Sequence, residues 1–139
     1  MMDKVYITRA FNFSAGHRLF IEGLTDEENK AIFDKCANPR GHGHDYRVEI
    51  MFNGEISEDT GMIISRKEMD ESVKEVINDF DYKRIDLEIP YFKKYQSTVE
   101  NIALYIWEKM HEKYKDRLSY IKVWENERSF FEYHEEVLR

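Results

Sequence analysis

The sequence predicts an α+β domain: a four-stranded antiparallel sheet with two helices on one face, in the order ββααββ. Three observations carry this reading. Apolar residues alternate along two N-terminal stretches, at Val5, Ile7, Phe11, Phe13, Ala15 and His17, and again at Tyr46, Val48, Ile50 and Phe52. Two stripes at helical spacing follow, Met69, Val73, Val76, Ile77 and Phe80, then Val99, Ile102, Ala103, Ile106, Trp107 and Met110. Two short apolar runs, residues 120–124 and 130–133, close the chain as strands.

Taken in order, the first strand has one apolar parity that Arg9 interrupts. Residues 22–30 are charged, and Thr25-Asp26-Glu27-Glu28 has the form of a short helix start. Residues 36–43 hold Asn, Pro and two glycines and read as loop, with alternation resuming at His44. Asn53-Gly54 is a turn signal. Ser65-Arg66-Lys67-Glu68 and Ser97-Thr98-Val99-Glu100 both have the spacing of a capping box at the head of a helix. There is no linker, repeat or low-complexity run, so residues 1–139 read as one domain. Its core is thin and its sheet edges need covering, which predicts an oligomer.

Composition narrows the class. The 139 residues carry a formal net charge of -7, which argues against a nucleic-acid binder. An apolar share of 42% is too high for a disordered chain. A single cysteine excludes an intramolecular disulfide and suits a reducing compartment. No run approaches the ~20 apolar residues of a membrane span, and residues 1–6 lack a signal-peptide core. A cytoplasmic protein is the expectation.

Chemistry concentrates in a histidine and cysteine pattern. His42-Gly43-His44 sits at the start of the second strand, where residues i and i+2 share a face, ~6.5 Å apart. Gly43 keeps bulk off the backbone between them. His17 lies on the apolar parity of a strand expected to pair with this one. Three imidazoles with an open position make the catalytic form of a zinc site, and the open position lets the metal stabilise developing oxyanion charge. Cys36 allows three readings: a small buried hydrophobe, a fourth ligand closing a structural site, or a thiolate base activated by the cation.

Several blocks resemble one family, the 6-pyruvoyl-tetrahydropterin synthases and the related 6-carboxytetrahydropterin synthases. Phe11-Asn12-Phe13-Ser14-Ala15-Gly16-His17-Arg18-Leu19 is similar to the family's first zinc motif. Cys36-Ala37-Asn38-Pro39-Arg40-Gly41-His42-Gly43-His44-Asp45-Tyr46 is similar to its Cys and His-Gly-His motif. Thr60-Gly61-Met62, Ile89-Pro90-Tyr91-Phe92 and residues 97–103 match further blocks. The gap between Cys36 and His42 resembles the pyruvoyl synthases more than the carboxy synthases.

The resemblance implies a tunnelling fold, in which three subunits join their sheets into a barrel and two trimers stack as a homohexamer with sites at the interfaces. It implies Zn2+ on His17, His42 and His44, gripping side-chain hydroxyls of 7,8-dihydroneopterin triphosphate. It implies Cys36 as the base in triphosphate elimination. Glu125 matches the glutamate anchoring the pterin ring, with Thr98 and Glu100 near the same ligand. Glu100 has a competing job as the cap partner of Ser97. Arg18, Arg40, Arg66, Lys93 and Lys94 are the basic residues available to the triphosphate.

One departure stands out. Where the family carries Asp-His as acid/base partner of the cysteine, this chain has Asp81-Tyr82. A phenol, with a reference pKa near ~10, is a weaker base than imidazole. His111 and His134 lie in no matching block and read as surface or packing residues. The resemblance therefore implies a zinc-dependent lyase making the pyruvoyl product. The rivals are the carboxy product with release of acetaldehyde, as in deazaguanine and queuosine-type pathways, or a zinc-containing pterin-binding homologue impaired at Tyr82.

Overall fold

The computed structural model describes residues 4–135. One sheet contains four strands, β1 (Lys4–His17), β2 (His42–Glu55), β3 (Leu118–Asn126) and β4 (Ser129–Tyr133). They run antiparallel in the order β1-β2-β3-β4. Helix α1 (Asp26–Phe33) lies between β1 and β2. Helices α2 (Arg66–Ile77), α3 (Ile85–Glu88), α4 (Tyr91–Lys94) and α5 (Val99–Tyr114) lie between β2 and β3. The α+β class, the four antiparallel strands and the two long helices are as the periodicities predict. The single-turn helices α3 and α4 are additions that so short a pattern does not announce. Among the described residues, no helix is long and apolar enough to cross a membrane.

The core forms between one sheet face and helices α2 and α5. Phe13, Ala15 and His17 of β1 and Tyr46, Val48, Ile50 and Phe52 of β2 are buried on that face, as alternation requires. Ile121 and Val123 of β3 join them, opposite Met69, Val73, Ile102 and Ile106 from the helices. Each large apolar side chain buried here contributes roughly 1.5–3 kcal/mol. Arg9, which breaks the parity of β1, is accommodated by a two-pronged ion pair with Asp70 of α2, at 2.8 and 3.0 Å.

Four local expectations need correcting. Strand β2 begins at His42, because His42 pairs with His17 across the ladder. Asn53-Gly54 is part of that strand, and buried Asn53 donates to Asp116 O at 2.9 Å and Ser119 Oγ at 2.8 Å. Thr98, not Ser97, caps α5, its Oγ1 accepting from Asn101 N at 3.3 Å. Ser97 is buried and turned toward His17, so Glu100, which is exposed, has no cap to close there. Ser65 does cap α2 by accepting from Glu68 N at 3.0 Å, and the reciprocal box is complete at Thr25 and Glu28 of α1.

Candidate metal centre

The antiparallel register assembles the site. His17 faces His42, Ala15 faces His44 and Phe13 faces Tyr46, so all three histidines project from one face of one ladder. A β-carbon on Gly43 would stand 3.3 Å from Ala15 O, so glycine lets the strands close at this end. Gly41 has φ +73°, and a β-carbon there would lie 2.7 Å from Arg84 Cζ and 2.9 Å from His17 O. Only glycine tolerates both that dihedral and that space.

Cys36 is delivered by a tight turn rather than an open loop. Residues 34–37 form a single 3₁₀ turn after α1. Leu19 N donates to Cys36 O at 2.6 Å, and Arg18 Nε donates to Ala37 O at 3.1 Å, tying the turn to the chain leaving β1. Buried Asn29 fastens the intervening excursion by bonding both backbone groups of Ile21.

The result is a four-residue donor cluster. One ligand atom each from His17, Cys36, His42 and His44 lies within 4.8 Å of the other three. Cys36 Sγ is 3.0 Å from His42 Nε2. His17 is wholly buried, and its Nδ1 stands 2.8 Å from Ser97 O. A carbonyl only accepts, so Nδ1 carries the proton and Nε2 keeps a free lone pair toward the cluster. His44 Nε2 lies 3.5 Å from Glu125 Oε1. Three buried side-chain atoms lack a hydrogen-bond partner among the described residues: His17 Nε2, His44 Nε2 and Tyr46 Oη.

These residues fit a metal ion. Four donors on a tetrahedral zinc stand ~3.3–3.7 Å apart, a modest contraction of the present spread. The electrostatics of His17 and His44 agree. Burial holds His17 below the usual histidine range, partly offset by the Ser97 carbonyl. Burial and neighbouring His42 hold His44 down at about 4. Both are therefore neutral, the coordinating form, at physiological pH. Burial, with Glu125 and Asp34, pushes the Cys36 thiol up to about 11. A cation among the nitrogens would draw it back down. Burial, then Glu125 and Cys36, keep the Tyr46 phenol protonated.

The other predicted site residues lie around this cluster to different degrees. Glu125 is adjacent through His44. Thr98 caps α5, directly after the Ser97 that holds His17. Glu100 is exposed on the first turn of that helix. Asp81 accepts from Ser14 N at 3.0 Å and Tyr82 N donates to Ser14 O at 2.7 Å, so both brace the edge of β1. Tyr82 is 87% exposed at φ +59° and lines a hollow with Ser14, Gly43, His44, Asp45 and Lys83, so it borders one member of the donor cluster.

Two contributors escape sequence reasoning. Arg84 reaches the ligand loop through a guanidinium bonded to Asp86 at 2.6 and 3.2 Å and to Arg40 O at 3.4 Å. Nothing in the pattern of residues 81–88 signals that reach. Tyr46 continues the i, i+2 series of His42 and His44, and that parity is the signal that points to it.

Known proteins place this geometry. A family model described as 6-pyruvoyl tetrahydropterin synthase matches residues 6–136. The 6-pyruvoyl tetrahydrobiopterin synthase of Poecilia reticulata is 42% identical over 130 residues, covering 92% of this chain and 88% of that protein. The Homo sapiens protein of the same name is 39% identical over 129 residues, covering 91% and 89%. The solved 6-pyruvoyl tetrahydropterin synthase of Caenorhabditis elegans superposes with a TM-score of 0.89 at 33% identity, over 97% of this chain and 98% of that one. A Plasmodium vivax structure at 18% identity and TM-score 0.67 shares the fold. The whole architecture, donor cluster included, falls inside these matches, and the chain belongs to the 6-pyruvoyl tetrahydropterin synthase family.

Proposed function

We propose that this protein is a zinc-dependent lyase that converts 7,8-dihydroneopterin triphosphate to 6-pyruvoyl-tetrahydropterin with loss of triphosphate. The observation that carries the reading is the convergence of His17, His42, His44 and Cys36 within 4.8 Å, in a chain of this family. His17, His42 and His44 would hold the metal. When bound, zinc supplies Lewis-acid charge to the side-chain oxygens of the substrate. Cys36 would take and return the side-chain proton. Glu125 would accept hydrogen bonds from the pterin ring N–H and amine, a charge-assisted anchor. Thr98 and Glu100 would border the ligand from the head of α5.

Asp81 and Tyr82 would complete the relay from a neighbouring copy. Tyr82 is 87% exposed, so its phenol is free to meet a second copy of the chain. The homohexamer that the family resemblance implies would offer such interfaces. A second reading, a closed site with Cys36 as fourth ligand, is favoured by the 3.0 Å approach of Sγ to His42 Nε2. X-ray absorption separates the two, since only the closed site shows a zinc–sulfur distance near ~2.3 Å. Activity itself is tested by stripping the metal and restoring zinc. Turnover should vanish and return in the wild type and stay absent in His42→Ala. Turnover that survives complete metal removal would overturn the proposal.

A further inference from the structure

The buried atoms without partners mark more than metal ligands. Two of the three, His17 Nε2 and His44 Nε2, belong to the donor cluster, and a cation would satisfy them. The third, Tyr46 Oη, has no such account. Tyr46 is 0% exposed, stacked on Phe13 at 4.8 Å and set edge-on against His44 at 5.5 Å. Leaving a buried hydroxyl unpaired is costly, and folded proteins rarely accept it without a reason. Its position supplies one. On β2 it follows His42 and His44 at successive i+2 steps on the same face. The β2–β3 ladder runs out at Arg47 and Trp124, so Tyr46 and Glu125 are the next residues on the two strands. The phenol thus stands beside His44, whose Nε2 lies 3.5 Å from the carboxylate proposed as the ring anchor.

We propose that the Tyr46 hydroxyl is a substrate-contacting group, donating a hydrogen bond to a side-chain oxygen of the pterin ligand beside the three histidines. The inference rests on the pterin reading of the site and adds a donor to it. Glu125 gives the ligand an acceptor and the metal a Lewis acid, but neither gives it a hydrogen-bond donor, which a side-chain oxygen beside the histidines can also use. A protonated phenol in a dry wall meets that need, and its orphaned state in the free protein is the cost of having the donor ready.

The test compares wild type with Tyr46→Phe, which removes one oxygen and keeps the ring. The probes are neopterin, which carries the hydroxylated side chain, and unsubstituted pterin, which does not. In zinc-loaded protein, Tyr46→Phe should weaken neopterin about 10-fold and leave pterin unchanged, as expected for one hydrogen bond. In metal-free protein without ligand, the same variant should melt about 2–4 °C higher, because an unpaired polar atom has been removed. Equal neopterin affinity in the two proteins would overturn the inference. So would a lower melting temperature for the metal-free variant, which would mean that the hydroxyl is bonded within the protein or to a trapped water. Wild type that binds neither probe would instead refute the pterin reading, and the inference with it.

Discussion

Arg84→Ala is a sharp probe of how the ligand loop is held. The guanidinium donates to both oxygens of Asp86, at 2.6 and 3.2 Å, and to Arg40 O at 3.4 Å. It covers Gly41, one residue before His42 of the donor cluster. Asp86 keeps 10% of its side chain exposed and Arg84 27%, so the pair is neither a surface pair nor a fully buried one. Removing the arginine leaves a poorly solvated carboxylate and an unanchored turn. Exposed pairs are worth about 0.2–1 kcal/mol, and breaking buried ones costs about 3–5 kcal/mol. A loss of about 2 kcal/mol is the midpoint, or roughly 4–8 °C in melting temperature. Releasing residues 38–41 also adds conformational entropy that metal binding must remove, so zinc should bind roughly 10-fold more weakly. Competition against a chromophoric chelator reads the affinity, and calorimetry of the metal-free protein reads the stability. Asp86→Asn in the Arg84→Ala background should recover part of the lost stability, because it removes the stranded charge. Unchanged zinc affinity in Arg84→Ala would refute the argument that this clamp positions His42.

Three further outcomes follow from the same geometry. His44 is held at about 4 by burial and His42, and His17 is also lowered, so the unfolded chain binds more protons below ~6.5. Stability of the metal-free protein should therefore be flat between about pH 7 and pH 8 and fall as pH drops toward 4, read by denaturant midpoints. Cys36, raised to about 11 by burial, Glu125 and Asp34, should alkylate slowly at pH 8 without metal. If it is the base beside zinc, loading zinc should speed the reaction, whereas a zinc-bound sulfur would be protected. Thr98→Ala should cost about 1 kcal/mol by removing the α5 cap, and Ser97→Ala, with no cap to lose, clearly less; thermal melts compare them.

The strands and the site were legible for one reason. A period of two sorts residues onto faces, so His17, His42 and His44 fell on the apolar parity before any coordinates were needed. What escaped depends on contacts distant in sequence. Ser97 looked like a cap and became a partner of His17, 80 residues away, which moved the cap to Thr98. Asn53-Gly54 looked like a turn, but bonds from Asn53 to the segment before β3 keep it in strand. Arg9 broke the pattern because its partner, Asp70, sits on α2. The departure at Tyr82 was visible in sequence, and the structure adds that its side chain is exposed.

The central claim is chemical, and one measurement meets it directly. Zinc-loaded protein is incubated with 7,8-dihydroneopterin triphosphate and the products are identified by mass. The account predicts inorganic triphosphate and 6-pyruvoyl-tetrahydropterin, which retains every side-chain carbon. Acetaldehyde with a 6-carboxytetrahydropterin, or no turnover by fully zinc-loaded protein, would contradict it.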